Sequence, residues 1–237
     1  MQQFFEFPVT SLYDFDSFVA CDGNAGALQF SLRIADPDDP ENLLYIYGPA
    51  GSGKTHLLQA IARVMGRKSN QAVPCLSFRE PVSVDVLCCR FAGAEALIVD
   101  DLHLMPDDGD LRAALWQLFN DFHSSGRKIV MAGRYAPRDL PYLDDHLVSR
   151  LLWGLVSRVD VSDDHSRQMI LKKIAADRQV RIPDDVVDFI LATTSREVGD
   201  LISAFEAVYR LSMILKRRIT LPLARESREM QLSGGCP

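Results

Sequence analysis

Long apolar runs are missing from this sequence. No stretch approaches the ~18 consecutive apolar residues that a membrane-spanning helix needs, so no such span is expected. The opening Met1–Val9 has no basic flank and carries Glu6, and so does not read as a signal peptide. No C-x-x-C pair occurs among the five cysteines, Cys21, Cys75, Cys88, Cys89 and Cys236. Their odd number and scattered spacing fit reduced thiols in an intracellular protein, and the cytoplasm is the expected compartment. Basic charge is also in short supply. The 26 Lys and Arg residues face 32 Asp and Glu, giving a net charge of −6 and a pI near 5.4. That balance argues against broad electrostatic attachment to nucleic acid, and direct nucleic-acid binding is not expected. From Asp163 onward 12 basic residues meet 11 acidic ones, which is no DNA-binding patch. Lys216-Arg217-Arg218 reads as a solvated helix end, which the helix dipole favours. Internal repeats and low-complexity blocks are absent too.

What is present is an ordinary globular mixture. The chain has 237 residues, 47% hydrophobic and 24% charged, enough for one sizeable core with a small companion domain. Asp36-Pro37-Asp38-Asp39-Pro40 marks a loop. After it, Leu43–Tyr47, Val73–Phe78, Ala96–Val99, Ile129–Ala132 and Leu155–Val161 read as strands buried on both faces. Between them lie helical stripes. Leu57, Leu58, Ile61, Ala62 and Met65 share one face, as do Leu111, Leu115, Leu118, Phe119 and Phe122. Such alternation predicts an α/β fold with a parallel sheet flanked by helices. Past Val161 only helical patterns remain: Ser166–Asp177, Asp184–Thr193 with Asp184 as N-cap, and Arg196–Leu215. The expected organisation is an N-terminal peptide 1–10, an α/β base 11–162, a small all-helical lid 163–223 and a tail 224–237, frayed from Ser233 to Pro237.

One motif carries chemistry. Gly48-Pro49-Ala50-Gly51-Ser52-Gly53-Lys54-Thr55 matches G-x-x-x-x-G-K-[ST], between an apolar strand and an amphipathic helix. In that context the loop opens a helix whose free N–H groups and dipole favour phosphate. The glycines let the backbone curl around a β-phosphate, Lys54 reaches β and γ oxygens, and the Thr55 hydroxyl is a candidate magnesium ligand. ATP or ADP with Mg2+ is therefore the expected cofactor. A P-loop needs an acid to orient its metal, and Ala96-Leu97-Ile98-Val99-Asp100-Asp101 ends a buried strand with two. Asp100 is expected on the magnesium, through water, and Asp101 as general base for the attacking water.

These residues resemble the bacterial replication initiator DnaA and its AAA+ relatives, from about Tyr13 to Leu223. Tyr13-Asp14-Phe15-Asp16-Ser17-Phe18-Val19 is similar to the family's opening Y-x-F-D-x-F-V segment, which implies that Phe18 and Val19 lie near the adenine. Gly51-Ser52-Gly53-Lys54-Thr55-His56-Leu57 continues the likeness and adds His56 to the nucleotide set. Ser149-Arg150-Leu151-Leu152-Trp153-Gly154-Leu155 resembles the family's S-R-x-x-W-G-L, whose arginine is presented to a neighbouring subunit's nucleotide. The resemblance thus implies Arg150 as an arginine finger; read without it, Arg150 is a surface ion pair. Three departures stand beside these matches. Only about a dozen residues follow Leu223, too few for the initiator's helix-turn-helix domain. Arg134 stands where the family has a sensor aspartate, and Gly199 where it has a sensor arginine. Both changes weaken the expected reading of the γ-phosphate.

A short chain of this kind resembles the Hda-like regulators of the initiator. That resemblance implies DnaA and the DNA polymerase sliding clamp as partners, an arginine finger supplied in trans, and at most a weak intrinsic ATPase. Assembly with further copies of the chain is a related expectation. A self-contained ATPase such as a helicase loader, or a DNA-binding initiator relative, are the alternatives. The opening Gln2-x-x-Phe5-x-Phe7 is similar to the clamp-binding motif, with an amide for a pocket rim and two rings to bury. Docking of the same segment on the protein's own base is the other reading.

Overall fold

The computed structural model describes residues 13–195 and 197–232. The apolar runs become five strands, β1 (Leu43–Tyr47), β2 (Cys75–Ser77), β3 (Ala96–Asp100), β4 (Lys128–Gly133) and β5 (Leu155–Arg158). They pair in parallel in the order β2-β3-β4-β1-β5. Every residue of β3 and β4 is buried, as parallel strands covered on both faces must be. Even Lys128 conforms, because its ammonium donates to the carbonyls of Asp39 at 2.7 Å and Glu41 at 2.8 Å.

Side chains alternate along each strand and so feed two cores. One face of the sheet, with Leu44, Ile46 and Ile98, is covered by α1 (Ala25–Ile34) and α2 (Lys54–Ser69). The other, with Leu43, Tyr45, Val99 and Met131, is covered by α3 (Val84–Phe91), α4 (Gly109–Ser124) and α5 (Asp145–Leu151). Leu57, Leu58 and Ile61 are fully buried from α2, and Leu111, Leu115, Phe119 and Phe122 from α4, on the two stripes the spacing marks. Each such side chain contributes about 1.5–3 kcal/mol. The remaining helices, α6 (Asp164–Asp177), α7 (Asp184–Thr193), α8 (Val198–Leu215) and α9 (Leu221–Leu232), pack around a separate core that includes Leu171, Val187, Phe205 and Ala224.

The structure corrects several boundaries. The second strand starts at Cys75, not Val73, because Pro74 has no N–H to give a ladder. The fifth stops at Arg158; Val159 still donates to Tyr47 O at 2.7 Å, but Asp160 then donates to Gly23 O at 2.8 Å and the chain turns off. Asp184 is the first residue of α7, not its N-cap, which is Pro183; the Asp184 carboxylate faces Lys172 at 2.8 Å instead. Residues 224–232, read as tail, continue α9 with Leu223 and Ala224 buried. Helices α1, α3 and α5 had not been anticipated either.

The end of β4 is held from below. The Tyr45 hydroxyl, fully buried, donates to Tyr135 O at 2.7 Å. It reaches there only because Gly133 has no side chain: a Cβ on Gly133 would lie 2.4 Å from that oxygen. Tyr45→Phe is expected to cost about 1 kcal/mol, the net value of one such bond. Gly133→Ala, which must displace the ring, is expected to cost about 1–3 kcal/mol. Urea unfolding checks this: the midpoint falls for both variants with m unchanged, and an unshifted midpoint contradicts the arrangement.

Candidate functional site

The carboxyl ends of the strands share one edge of the sheet, where α/β folds gather polar chemistry. β1 runs out at Tyr47 into the loop Gly48–Gly53, and α2 begins at Lys54. Gly51 and Gly53 hold φ of +70° and +99°, left-handed conformations that glycine adopts without strain. The N-cap Gly53 has no side chain to satisfy the first turn, so the leading N–H groups of α2 remain open donors for an anion. Both glycines are also closely packed. A Cβ on Gly53 would lie 2.9 Å from the Phe18 ring, and one on Gly51 would lie 3.1 Å from the Gly199 nitrogen and 3.2 Å from that of Val198. The loop is held between residue 18 and the start of α8.

Lys54 is buried, and its ammonium donates to Gly48 O at 2.9 Å and Pro49 O at 2.7 Å, with Ser52 Oγ at 3.4 Å. Burial draws its pKa below the usual lysine value, against the opposing pull of Asp100 and Asp101. Asp100 lies at the end of β3 and is buried as well; the Thr55 hydroxyl donates to its Oδ2 at 2.5 Å and the Asp101 N–H to its Oδ1 at 2.7 Å. Desolvation pushes the Asp100 carboxyl above its normal value, only partly offset by the Thr55 bond. Asp101 takes a left-handed φ of +52°, uncommon for a non-glycine residue and of a kind that gathers at functional sites. Its Oδ2 accepts from Ser77 Oγ at 2.8 Å and Arg79 Nε at 3.0 Å. The expected general base is thus engaged by two donors. Beside it, burial pushes the Cys75 thiol up to about 12, so it stays protonated at neutral pH.

The donors fit a nucleotide. Open helix N–H groups and a buried ammonium suit phosphate, and the Thr55 hydroxyl and Asp100 carboxylate, already in contact, suit one flank of a magnesium that takes its other ligands from phosphate and water. Val19 joins Cys21, Val161, Ile170 and Val198 in a small apolar cluster between sheet and lid, a wall suited to a planar base. His56 is turned to other work. Its Nε2 lies 2.8 Å from Asp14 O and 3.2 Å from Ser17 Oγ, and its ring meets Tyr13 and Phe18 edge to face at 5.2 and 5.3 Å. It fastens the 13–18 segment against α2.

Arg150 is elsewhere. It lies on α5, on the face opposite α2, with its guanidinium 4.4 Å from the Trp153 ring and 5.5 Å from Trp116. Gly154 packs on Leu43, at the start of β1, while the phosphate loop leaves the other end of that strand. Among the described residues no carboxylate pairs with Arg150, so the alternative reading of it as a surface ion pair finds no partner there, and the neighbouring Trp153 is 63% exposed. Gly199 sits in the first turn of α8 with nothing within 4 Å of an added Cβ. The candidate partner residues Gln2, Phe5 and Phe7 lie outside the described residues. Sequence reasoning missed Ser77, Arg79 and Trp116. The first two were visible as polar residues closing an apolar strand; Trp116 fell off the apolar stripe of its helix.

Comparison with known proteins follows the same division. Residues 9–158 match the bacterial DnaA ATPase domain family, and residues 164–227 match the Hda lid domain. Over 226 residues the chain is 30% identical to the chromosomal replication initiator protein DnaA of Geobacter metallireducens, covering 90% of this chain and 50% of the relative. The Geobacter sulfurreducens DnaA is 29% identical over 229 residues, with 90% and 51% covered. The chain therefore spans about half the length of the curated relatives it matches. Domain III of the Thermotoga maritima initiator DnaA superposes with a TM-score of 0.77 at 25% identity, over 91% of this chain and 95% of that one. The AMPPCP-bound DnaA of Aquifex aeolicus gives 0.74 at 21% identity, over 84% and 65%, a likeness of fold.

The fastening by His56 predicts a pH dependence. Burial lowers its pKa from 6.5, so the folded state favours the neutral ring. The stability this ring contributes is complete above the unfolded value and is lost as pH falls through and below it. Melting temperatures of the native protein and of His56→Gln, followed from pH 8 to pH 5, are expected to converge toward the acid end. A constant gap would refute the assignment of a neutral, buried His56.

Proposed function

The chain belongs to the bacterial DnaA ATPase domain family, with a lid of the Hda type, and from that premise we propose that it is a nucleotide-bound AAA+ regulator of replication initiation. It holds ATP or ADP with magnesium in its own loop and gives Arg150 to the nucleotide of a neighbouring initiator. Lys54 would bind β and γ oxygens, Thr55 and Asp100 the magnesium, and Phe18 and Val19 the base. The observation that carries this reading is the separation of Arg150 from the phosphate loop, on the opposite face and toward the opposite end of β1, stacked on Trp153 without a carboxylate partner among the described residues. A cation held at a rim by an exposed aromatic ring is available to a neighbour's phosphate and not to its own. The Gln2-Phe5-Phe7 pattern supports the sliding clamp as the second partner, and the family relation supports DnaA as the first.

The intact Asp100-Asp101 pair favours a second reading, an ATPase that turns over by itself. Against it, Gly199 brings no cation to developing phosphate charge, and Asp101 is engaged by Ser77 and Arg79.

Two measurements test the proposal. Lys54→Ala removes charge-assisted bonds worth about 1.5–3 kcal/mol each. Calorimetry should then show nucleotide affinity at least about tenfold weaker, whereas equal affinity would make the loop assignment wrong. Arg150→Ala should abolish stimulated hydrolysis of ATP on DnaA, in a step where arginine fingers contribute ~10³–10⁵ in rate, with the chain's own nucleotide affinity unchanged. Loss of self-binding, or an Arg150-dependent turnover by the isolated protein, would favour the second reading.

A further inference from the structure

Arg167, on α6, is only 4% exposed, which is rare for a guanidinium. Its Nη1 donates to Asp164 at 3.0 Å, but that carboxylate is 72% exposed, so water weakens the pair. Its Nε is buried and has no hydrogen-bond partner among the described residues. An enclosed cationic donor without an acceptor destabilises the protein that carries it, so the stability of the empty protein does not account for this residue. Its surroundings do. Ile170, one turn further along α6, belongs with Val19 and Val198 to the apolar cluster between sheet and lid, and residues three apart share a helix face. Two links set that cluster beside the phosphate loop. The Val198 nitrogen lies 3.2 Å from a Cβ built on Gly51, and the ring of Phe18, the residue before Val19, lies 2.9 Å from one built on Gly53. The backbone of this segment already has partners: the Asn24 side chain accepts from the Cys21 N–H at 2.8 Å and donates to Val19 O at 2.9 Å. The Arg167 Nε–H is left as a donor without an acceptor.

We propose that Arg167 binds the nucleoside end of the nucleotide, giving its Nε–H to a ring nitrogen or a ribose oxygen while the phosphates occupy the loop. This rests on the nucleotide-binding reading above and deepens it, since Phe18 and Val19 offer a base only apolar surface. Loop and cluster adjoin, so a molecule whose phosphates fill the first has its remaining part at the second. A base and its sugar carry several acceptors and a guanidinium carries donors alone, so the two are complementary where burial has removed water. The flat guanidinium also suits the face of a planar ring. A bare phosphate chain brings nothing to this end of the site.

The experiment compares ADP with pyrophosphate by calorimetry on the full chain with magnesium, and adds melting temperatures without nucleotide. Arg167→Met nearly keeps the volume and removes the donors. ADP affinity is expected to fall about tenfold or more, the scale of one charge-assisted bond, with pyrophosphate affinity within about twofold of the unaltered protein. The nucleotide-free variant is expected to melt about 2 °C higher or more, because an apolar side chain replaces an unsatisfied buried cation. A merely structural arginine would not pair gained stability with lost affinity. Unchanged ADP affinity overturns the inference and leaves the nucleotide reading intact. A lower melting temperature, or equal weakening of ADP and pyrophosphate, also overturns it, since the residue would then brace the lid or the loop. If the variant does not fold, the Nε–H resonance of Arg167 in the unaltered chain decides. ADP should shift it and pyrophosphate should not, and a signal indifferent to ADP sinks the inference. Failure of the unaltered chain to bind both ADP and pyrophosphate overturns both readings.

Discussion

The parallel pairing of β4 between β3 and β1 sets the positions on which the site depends. Parallel strands present their carboxyl ends at one edge, so the phosphate loop after β1, the aspartates ending β3 and Arg134 after β4 meet although they are far apart in the chain. The same pairing requires both faces to be covered, and the covering helices bury Lys54 and Asp100 in largely apolar surroundings. There burial holds the lysine pKa low and the aspartate pKa high. Both directions say that their mutual attraction and hydrogen bonds do not fully replace the water they lost. On the proposed reading a phosphate and a divalent cation would complete that environment, as befits a site built for a ligand and not for the stability of the empty protein.

The lid is tied to the same loop. Gly51 touches the first turn of α8 and Gly53 touches Phe18, while Val19, Ile170 and Val198 form a shared apolar cluster. The phosphate loop and the start of the lid helix α8 are thus in direct contact. Arg150 stands apart from all of this, on α5 over two tryptophans. Because donor arginine and acceptor loop lie on different surfaces, an arginine given in trans makes a heterologous contact, with one face giving and another receiving. Such geometry suits a regulator that acts on a different chain as readily as it suits a ring of identical ones.

Much of this was legible beforehand where the signal is local and strong. The runs at Leu43–Tyr47, Ala96–Val99 and Ile129–Ala132 became strands within a residue or two, and the stripes through Leu57 and Leu111 became buried helix faces. The phosphate loop was readable because its chemistry needs glycine, lysine and a hydroxyl in consecutive order. Less was legible where tertiary contact overrides pattern. α3 and α5 are short and bury little of their surface, Leu87 and Phe91 in one and Leu147 and Leu151 in the other, so no long periodicity announces them. Asp184 looked like a cap, but the extended Pro183 already ends the incoming chain and Lys172 claims the carboxylate.

The sequence by itself determined the fold class, the loop and the paired aspartates, since hydrophobic period and consecutive residue types are one-dimensional properties. Only the tertiary structure decided which residues stand around them. Arg79 on Asp101, His56 on Asp14 and Ser17, and Trp116 beneath Arg150 each join positions 22 to 42 residues apart along the chain. Arg134 appeared in the sequence at a sensor position and in the structure as an exposed residue just past the end of β4, the strand between β1 and β3. The physical reason is the order of the strands: neighbours in a sheet are chosen by how buried faces pack, and linear spacing carries no record of that choice.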